Sequence, residues 1–143
     1  MHIKHYINTA LLYAVLAMTG GVFYREFTKF NHFSGKTSLG VIHTHYFMMG
    51  MVFFLLLLLL EKNFAFTERK TKRILIFYHI GLNLTVVMLL IRGVLQVLNT
   101  PLSSSIDAAI SGMAGIGHIL LGVSLILLLL RVKHSISKTE VRS

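Results

Sequence analysis

Cysteine is absent from this sequence, proline occurs once, and only five of its 143 residues are acidic. Without thiols there can be no disulfide, iron–sulfur cluster, thiolate zinc site, cysteine nucleophile or covalently attached c-type haem. The carboxylates Glu26, Glu61, Glu68, Asp107 and Glu140 fall singly in connections, helix ends or the tail, so they form no acid–base pair. Hydrolysis, phosphoryl transfer and nucleophilic catalysis therefore lack their usual groups. No glycine-rich phosphate loop is present either, and the connections are too short to hold a separate soluble domain.

What the chain does have is apolar surface. It is 55% hydrophobic and 13% charged, with a mean hydropathy of +0.73, outside the range of soluble domains of this length. The single proline and the continuous runs of Leu, Ile, Val and Phe favour helices, since a membrane barrel would show short alternating segments. Four stretches, 7–24, 39–60, 74–98 and 106–130, each come close to the roughly 20 residues that cross a bilayer. The expectation is an all-α, integral membrane four-transmembrane-helix bundle, one membrane domain over residues 1–143. The first stretch follows Lys4, but Met18-Thr19-Gly20-Gly21 leads into bulky Val22, Phe23 and Tyr24 rather than a small-residue cleavage site, so it is expected to stay as an anchor.

Basic residues set the orientation. Lys62, Arg69, Lys70, Lys72 and Arg73 follow the second stretch, and Arg131, Lys133, Lys138 and Arg142 follow the fourth. The other two connections hold only Arg25, Lys29 and Lys36, or no base at all, so both termini are expected in the cytoplasm. The net charge of +9 is thereby explained by helix orientation and contact with anionic lipid in a bacterial cytoplasmic membrane, with no role for nucleic acid.

An ionisable side chain inside a membrane span needs a compensating partner, which makes it a candidate site. His43, His45, His79, Arg92 and His118 qualify, whereas His2, His5, His32 and His134 lie in termini or loops. Two residues apart on a helix is about 200° of rotation, so His43 and His45 point to nearly opposite sides: either they address two different sites, or one ligates while the other packs or binds a partner subunit. Ser111, Gly115, His118 and Gly122 share one stripe of the fourth span, with Gly112 and Gly117 nearby. Such a stripe serves either close helix packing with His118 hydrogen-bonded across it, or a flat wall cleared for a porphyrin ligated by His118. His79 and Asn83 lie one turn apart toward the cytoplasmic side, where His79 could ligate or hydrogen-bond a neighbour. Arg92 sits nearer the outer surface and calls for an anion: a haem propionate, the carboxylate of Glu26 or Asp107, or solvent reached by snorkelling.

The stretch His43-Thr44-His45-Tyr46-Phe47-Met48-Met49-Gly50-Met51-Val52-Phe53 resembles the haem-ligating helix of the haem–copper oxidase catalytic subunit. Its H-x-H followed five residues on by glycine is also similar to nitric-oxide-response membrane haem proteins. The whole chain resembles a family of short, uncharacterised bacterial four-span membrane proteins. The oxidase resemblance covers about a dozen residues and implies two histidines ligating different haems from opposite faces of one helix. The H-P-E/D-V-Y pattern of the oxidase copper site is missing, so no copper site is recognised.

Together these features lead to an expected b-type haem protein, carrying one or two haem b groups, for electron transfer or for sensing or handling a diatomic gas. His45 and His118 are the expected axial pair. His43 is the candidate ligand of a second haem, which four helices could hold only with another subunit; a homo-oligomer is expected accordingly. Arg92 and His79 complete the candidate cofactor contacts. The alternatives are a small transporter or ion-conducting protein with His45, His79, Arg92 and His118 along a polar path, and an accessory subunit of a respiratory complex.

Overall fold

The computed structural model describes residues 2–140; Arg142, counted above in the basic tail, lies outside the described residues. Four helices follow one another: α1 (His2–Phe30), α2 (Ser38–Phe64), α3 (Arg69–Val97) and α4 (Ser104–Glu140). There is no strand among the described residues. Apolar portions of 27 to 34 residues in all four are long enough to cross a membrane. The chain is a multi-pass membrane protein by helix length and composition. Every sequence-derived span falls inside a helix except for residue 98, which caps the end of α3. The helices run past the apolar stretches because backbone hydrogen bonding continues into the flanking polar residues, which face water or headgroups.

Left-handed residues close the first three helices: φ is 50° at His32, 44° at Ala65 and 50° at Asn99. At the start of α3, Glu68 and Thr71 form a reciprocal capping box. The Glu68 carboxylate also pairs with Arg131, and Ser135 Oγ donates to Phe64 O at 2.5 Å, so α4 is fastened where the α2–α3 connection turns. With four antiparallel crossings, both termini and this connection share one end of the bundle, the termini end. The connections 31–37 and 98–103 share the other, the loop end.

The helices are not evenly packed. α3 and α4 approach most closely at two glycines: a Cβ on Gly81 would lie 2.6 Å from Leu121 N, and one on Gly117 would lie 2.6 Å from Thr85 Oγ1. On the other side, the Tyr13 ring of α1 rests on Gly50 of α2, where a Cβ would be 2.5 Å from Tyr13 Cγ. Tyr6, Phe54, Phe66 and Tyr78 are buried together in the termini half. There the Phe53–Phe64 part of α2 touches α4. In the loop half, the facing surface of α4 is bare: Gly112, Gly115 and Gly122 have nothing within 4 Å of an added Cβ. The outside is lined by exposed Leu11, Met18, Ile76, Ile119 and Ile126, as lipid contact requires.

α2 is itself in parts. A 3-10 turn, Ser38–Val41, is followed by the α-helical Ile42–His45, a π-helical Tyr46–Val52 and the α-helical Phe53–Phe64. The wider π turns begin directly after His45 and re-phase the two halves of the helix, a device found mostly where a side chain must be aimed.

Candidate functional site

α3 acts as a ruler against which the two halves of the site can be levelled. Tyr46 of α2 donates to Asn83 Oδ1 at 3.0 Å, and Gly117 of α4 packs on Thr85. His45, one residue before Tyr46, and His118, one after Gly117, therefore stand at the same turn of α3. Counted at about 1.5 Å per residue from the starts of the apolar stretches, they lie roughly 9 Å and 18 Å deep. The two starts are not level: Leu39 is drawn in against Gly93, four residues before the end of α3, where a Cβ would be 2.6 Å from Leu39 N, and the 3-10 opening of α2 adds about 2 Å more.

The two imidazoles meet. Their ring centres are 6.1 Å apart and their planes are nearly perpendicular, at 85°. Each ring is fixed by its own helix: His45 Nδ1 donates to Val41 O at 2.8 Å, and His118 Nδ1 donates to Ala114 O at 2.8 Å. A carbonyl can only accept, so in each neutral ring the proton is on Nδ1 and the lone pair is on Nε2. A backbone carbonyl holding Nδ1–H is the arrangement that orients a metal-ligating histidine and raises its basicity.

Two imidazoles alone are a poor cage for a bare ion, and among the described residues no group of three His, Asp or Glu side chains converges on one point. A porphyrin supplies four equatorial nitrogens and requires only the axial pair. The ring centres, 6.1 Å apart, bring both imidazoles within reach of one such group. The open space over Gly112, Gly115 and Gly122 gives a flat macrocycle a wall without side chains. Gly117 was grouped with this wall in the sequence reading, but it belongs to the opposite, buried face against Thr85.

Arg92 closes the loop end of the same region. Its Nη2 donates to Asp107 Oδ1 at 2.6 Å, to Ser111 Oγ at 2.7 Å and to Asp107 O at 3.3 Å. The protein anion is therefore Asp107, one of the two carboxylates considered from sequence, and all three contacts use a single guanidinium nitrogen. Ser111 lies seven residues from His118 on one stripe, about 10 Å along the helix. A cavity of about 410 Å³ beside Arg92 also receives Lys36, Gln96 and Asn99.

The remaining histidines are placed elsewhere. His43 does not point away from its own bundle: a Cβ on Gly21 of α1 would lie 3.7 Å from His43 Cβ, and His43 Nδ1 is buried without a hydrogen-bond partner. His79 lies in the core, in a triangle of rings with Phe54 (4.9 Å) and Tyr13 (5.6 Å), with Nδ1 2.6 Å from Tyr13 Oη. Asn83 Nδ2 donates to the same phenol at 3.1 Å and to His79 O at 2.8 Å. Tyr13, Tyr46 and Asn83 thereby form a polar network with His79 that spacing did not reveal. Its signs in the sequence were His79 and Asn83 one turn apart in the third apolar stretch and a tyrosine within the first.

His79 and Arg92 belong to separate clusters, one in the core of the termini half and one at the loop end. The paired imidazoles lie between α2 and α4. This combination defines a class: a four-helix membrane protein whose second and fourth helices bring two imidazoles together. More particularly, the chain belongs to the family described as protein of unknown function (DUF2871), whose pattern matches residues 3–135. No curated protein and no solved structure matches it.

Proposed function

We propose that this chain is a b-type haem protein of the bacterial cytoplasmic membrane that carries electrons, with His45 and His118 as axial ligands. The observation that carries the reading is the pair of opposed imidazoles, 6.1 Å apart, each with Nδ1 tied to a carbonyl and Nε2 left to bind. The resemblance of residues 43–53 to the haem-ligating oxidase helix supports the same assignment for His45.

When bound, haem supplies a one-electron couple. The chain's own residues do the rest. His45 and His118 would together hold the haem iron, and two protein ligands favour electron transfer over gas binding. The carbonyls of Val41 and Ala114 hold the ring tautomers, and Gly115 and Gly122 keep the wall clear. Arg92, engaged with Asp107 through Nη2 alone, has its other nitrogens for a propionate. A conducting or transporting role would need one polar path, whereas the polar groups stand in separate clusters.

The test is a pair of absorption spectra, oxidised and dithionite-reduced, on protein purified in mild detergent after expression with adequate haem. A Soret band with sharp reduced α and β bands, unchanged by carbon monoxide and lost in His45→Ala and in His118→Ala, is the expected result. Well-folded protein without haem would overturn the proposal, and a carbon monoxide-sensitive spectrum would move the function to gas binding.

A further inference from the structure

At the termini end, a cavity of about 510 Å³ opens between α1 and α3, remote from the paired imidazoles. Lys4 and His5 reach it from α1, and Lys72 and His79 from α3. No carboxylate is among the residues lining it. The neighbouring acids are engaged elsewhere: Glu61 is buried and its Oε2 accepts from Thr67 N at 2.9 Å and Thr67 Oγ1 at 2.7 Å, while Glu68 pairs with Arg131. Two lysines and two imidazoles therefore line the space without a side-chain anion among them.

His79 adds a fixed polar ring: its Nδ1 is tied to Tyr13 Oη at 2.6 Å, and the same phenol accepts from Asn83 Nδ2 at 3.1 Å. The other wall is apolar, formed by Leu75 and Ile76, and Ile76 is 58% exposed on the lipid-facing side. A cationic head region thus continues into surface that suits a hydrocarbon chain. The Lys and Arg bias puts this end in the cytoplasm, where the leaflet is anionic.

We infer that this cavity binds an acidic amphiphile, its phosphate held by Lys4, Lys72 and His79 and its tail lying along Leu75 and Ile76. Free phosphate would make the same polar contacts but would gain nothing from the apolar wall.

Native mass spectrometry of the detergent-purified chain, titrated with phosphatidylglycerol or phosphatidylcholine, tests this directly. One phosphatidylglycerol retained per chain is expected, with phosphatidylcholine lost under the same conditions. The double variant Lys4→Gln/Lys72→Gln should weaken retention about tenfold or more. Lys62→Gln/Lys133→Gln removes equal charge from outside the cavity and should leave retention unchanged. Equal retention of both lipids, or equal loss in the two double variants, would overturn the proposal. Displacement of the lipid by millimolar inorganic phosphate would also overturn it, by assigning the site to phosphate alone.

Discussion

Tyr13 on α1 and His79 on α3 share a 2.6 Å hydrogen bond while their rings stack at 19°, so one side chain is both packing partner and proton donor to the other. Removing the phenol oxygen keeps the packing and strands the polar atoms of His79 and Asn83. Tyr13→Phe should therefore lower stability by about 1–3 kcal/mol, the usual cost of leaving a buried polar group unpaired. Thermal unfolding in detergent measures this, and the haem spectrum should keep its band positions because no hydrogen bond or ring contact joins Tyr13 to His45 or His118.

The glycines divide by what they face. Gly81→Val must push its new side chain against the backbone of Leu121, and should destabilise the α3–α4 pair by about 1–3 kcal/mol. Gly115→Ala meets open space and should change stability by no more than about 0.5 kcal/mol. Gly115→Leu is the informative variant: it should fold as well as the parent and yet lose most of its haem. Parent-level haem in Gly115→Leu would mean that the wall is not where the porphyrin lies.

Arg92 can be probed through the reduction potential. A cation beside the haem stabilises the reduced form, so Arg92→Gln should shift the midpoint to more negative values, with little change in stability because its partner Asp107 is 58% exposed. A potentiometric titration showing no shift would confine Arg92 to its contacts with Asp107 and Ser111.

His43 faces Gly21 of its own chain, so His43→Ala should retain a bis-histidine spectrum and one haem per chain. A pyridine haemochrome assay giving two haems in the parent and one in the variant would instead make His43 a ligand.

Much of the architecture could be read directly. Four apolar stretches of membrane-spanning length, no cysteine and one proline leave helices as the natural way to satisfy the backbone in lipid. Helical geometry also separated His43 from His45, because a two-residue step rotates a side chain by about 200° in any α-helix. The candidate ligands His45 and His118 were visible as ionisable groups in apolar surroundings. Their pairing was expected, but their common level could not be read, since counts along separate spans ignore the close seat of Leu39 on Gly93 and the 3-10 opening of α2.

Composition, hydropathy and charge placement are properties of the chain itself, and they determined the class of protein, its four helices and the short list of intramembrane histidines. Which glycine serves packing and which stays bare, which carboxylate meets Arg92 and which aromatic rings enclose His79 depend on contacts between helices 15 to 70 residues apart in sequence. Helical periodicity puts Gly117 and Gly115 on different faces without saying which face meets α3. Only the packed bundle decides that, because a shift of one residue in how two helices face each other exchanges the buried surface for the exposed one.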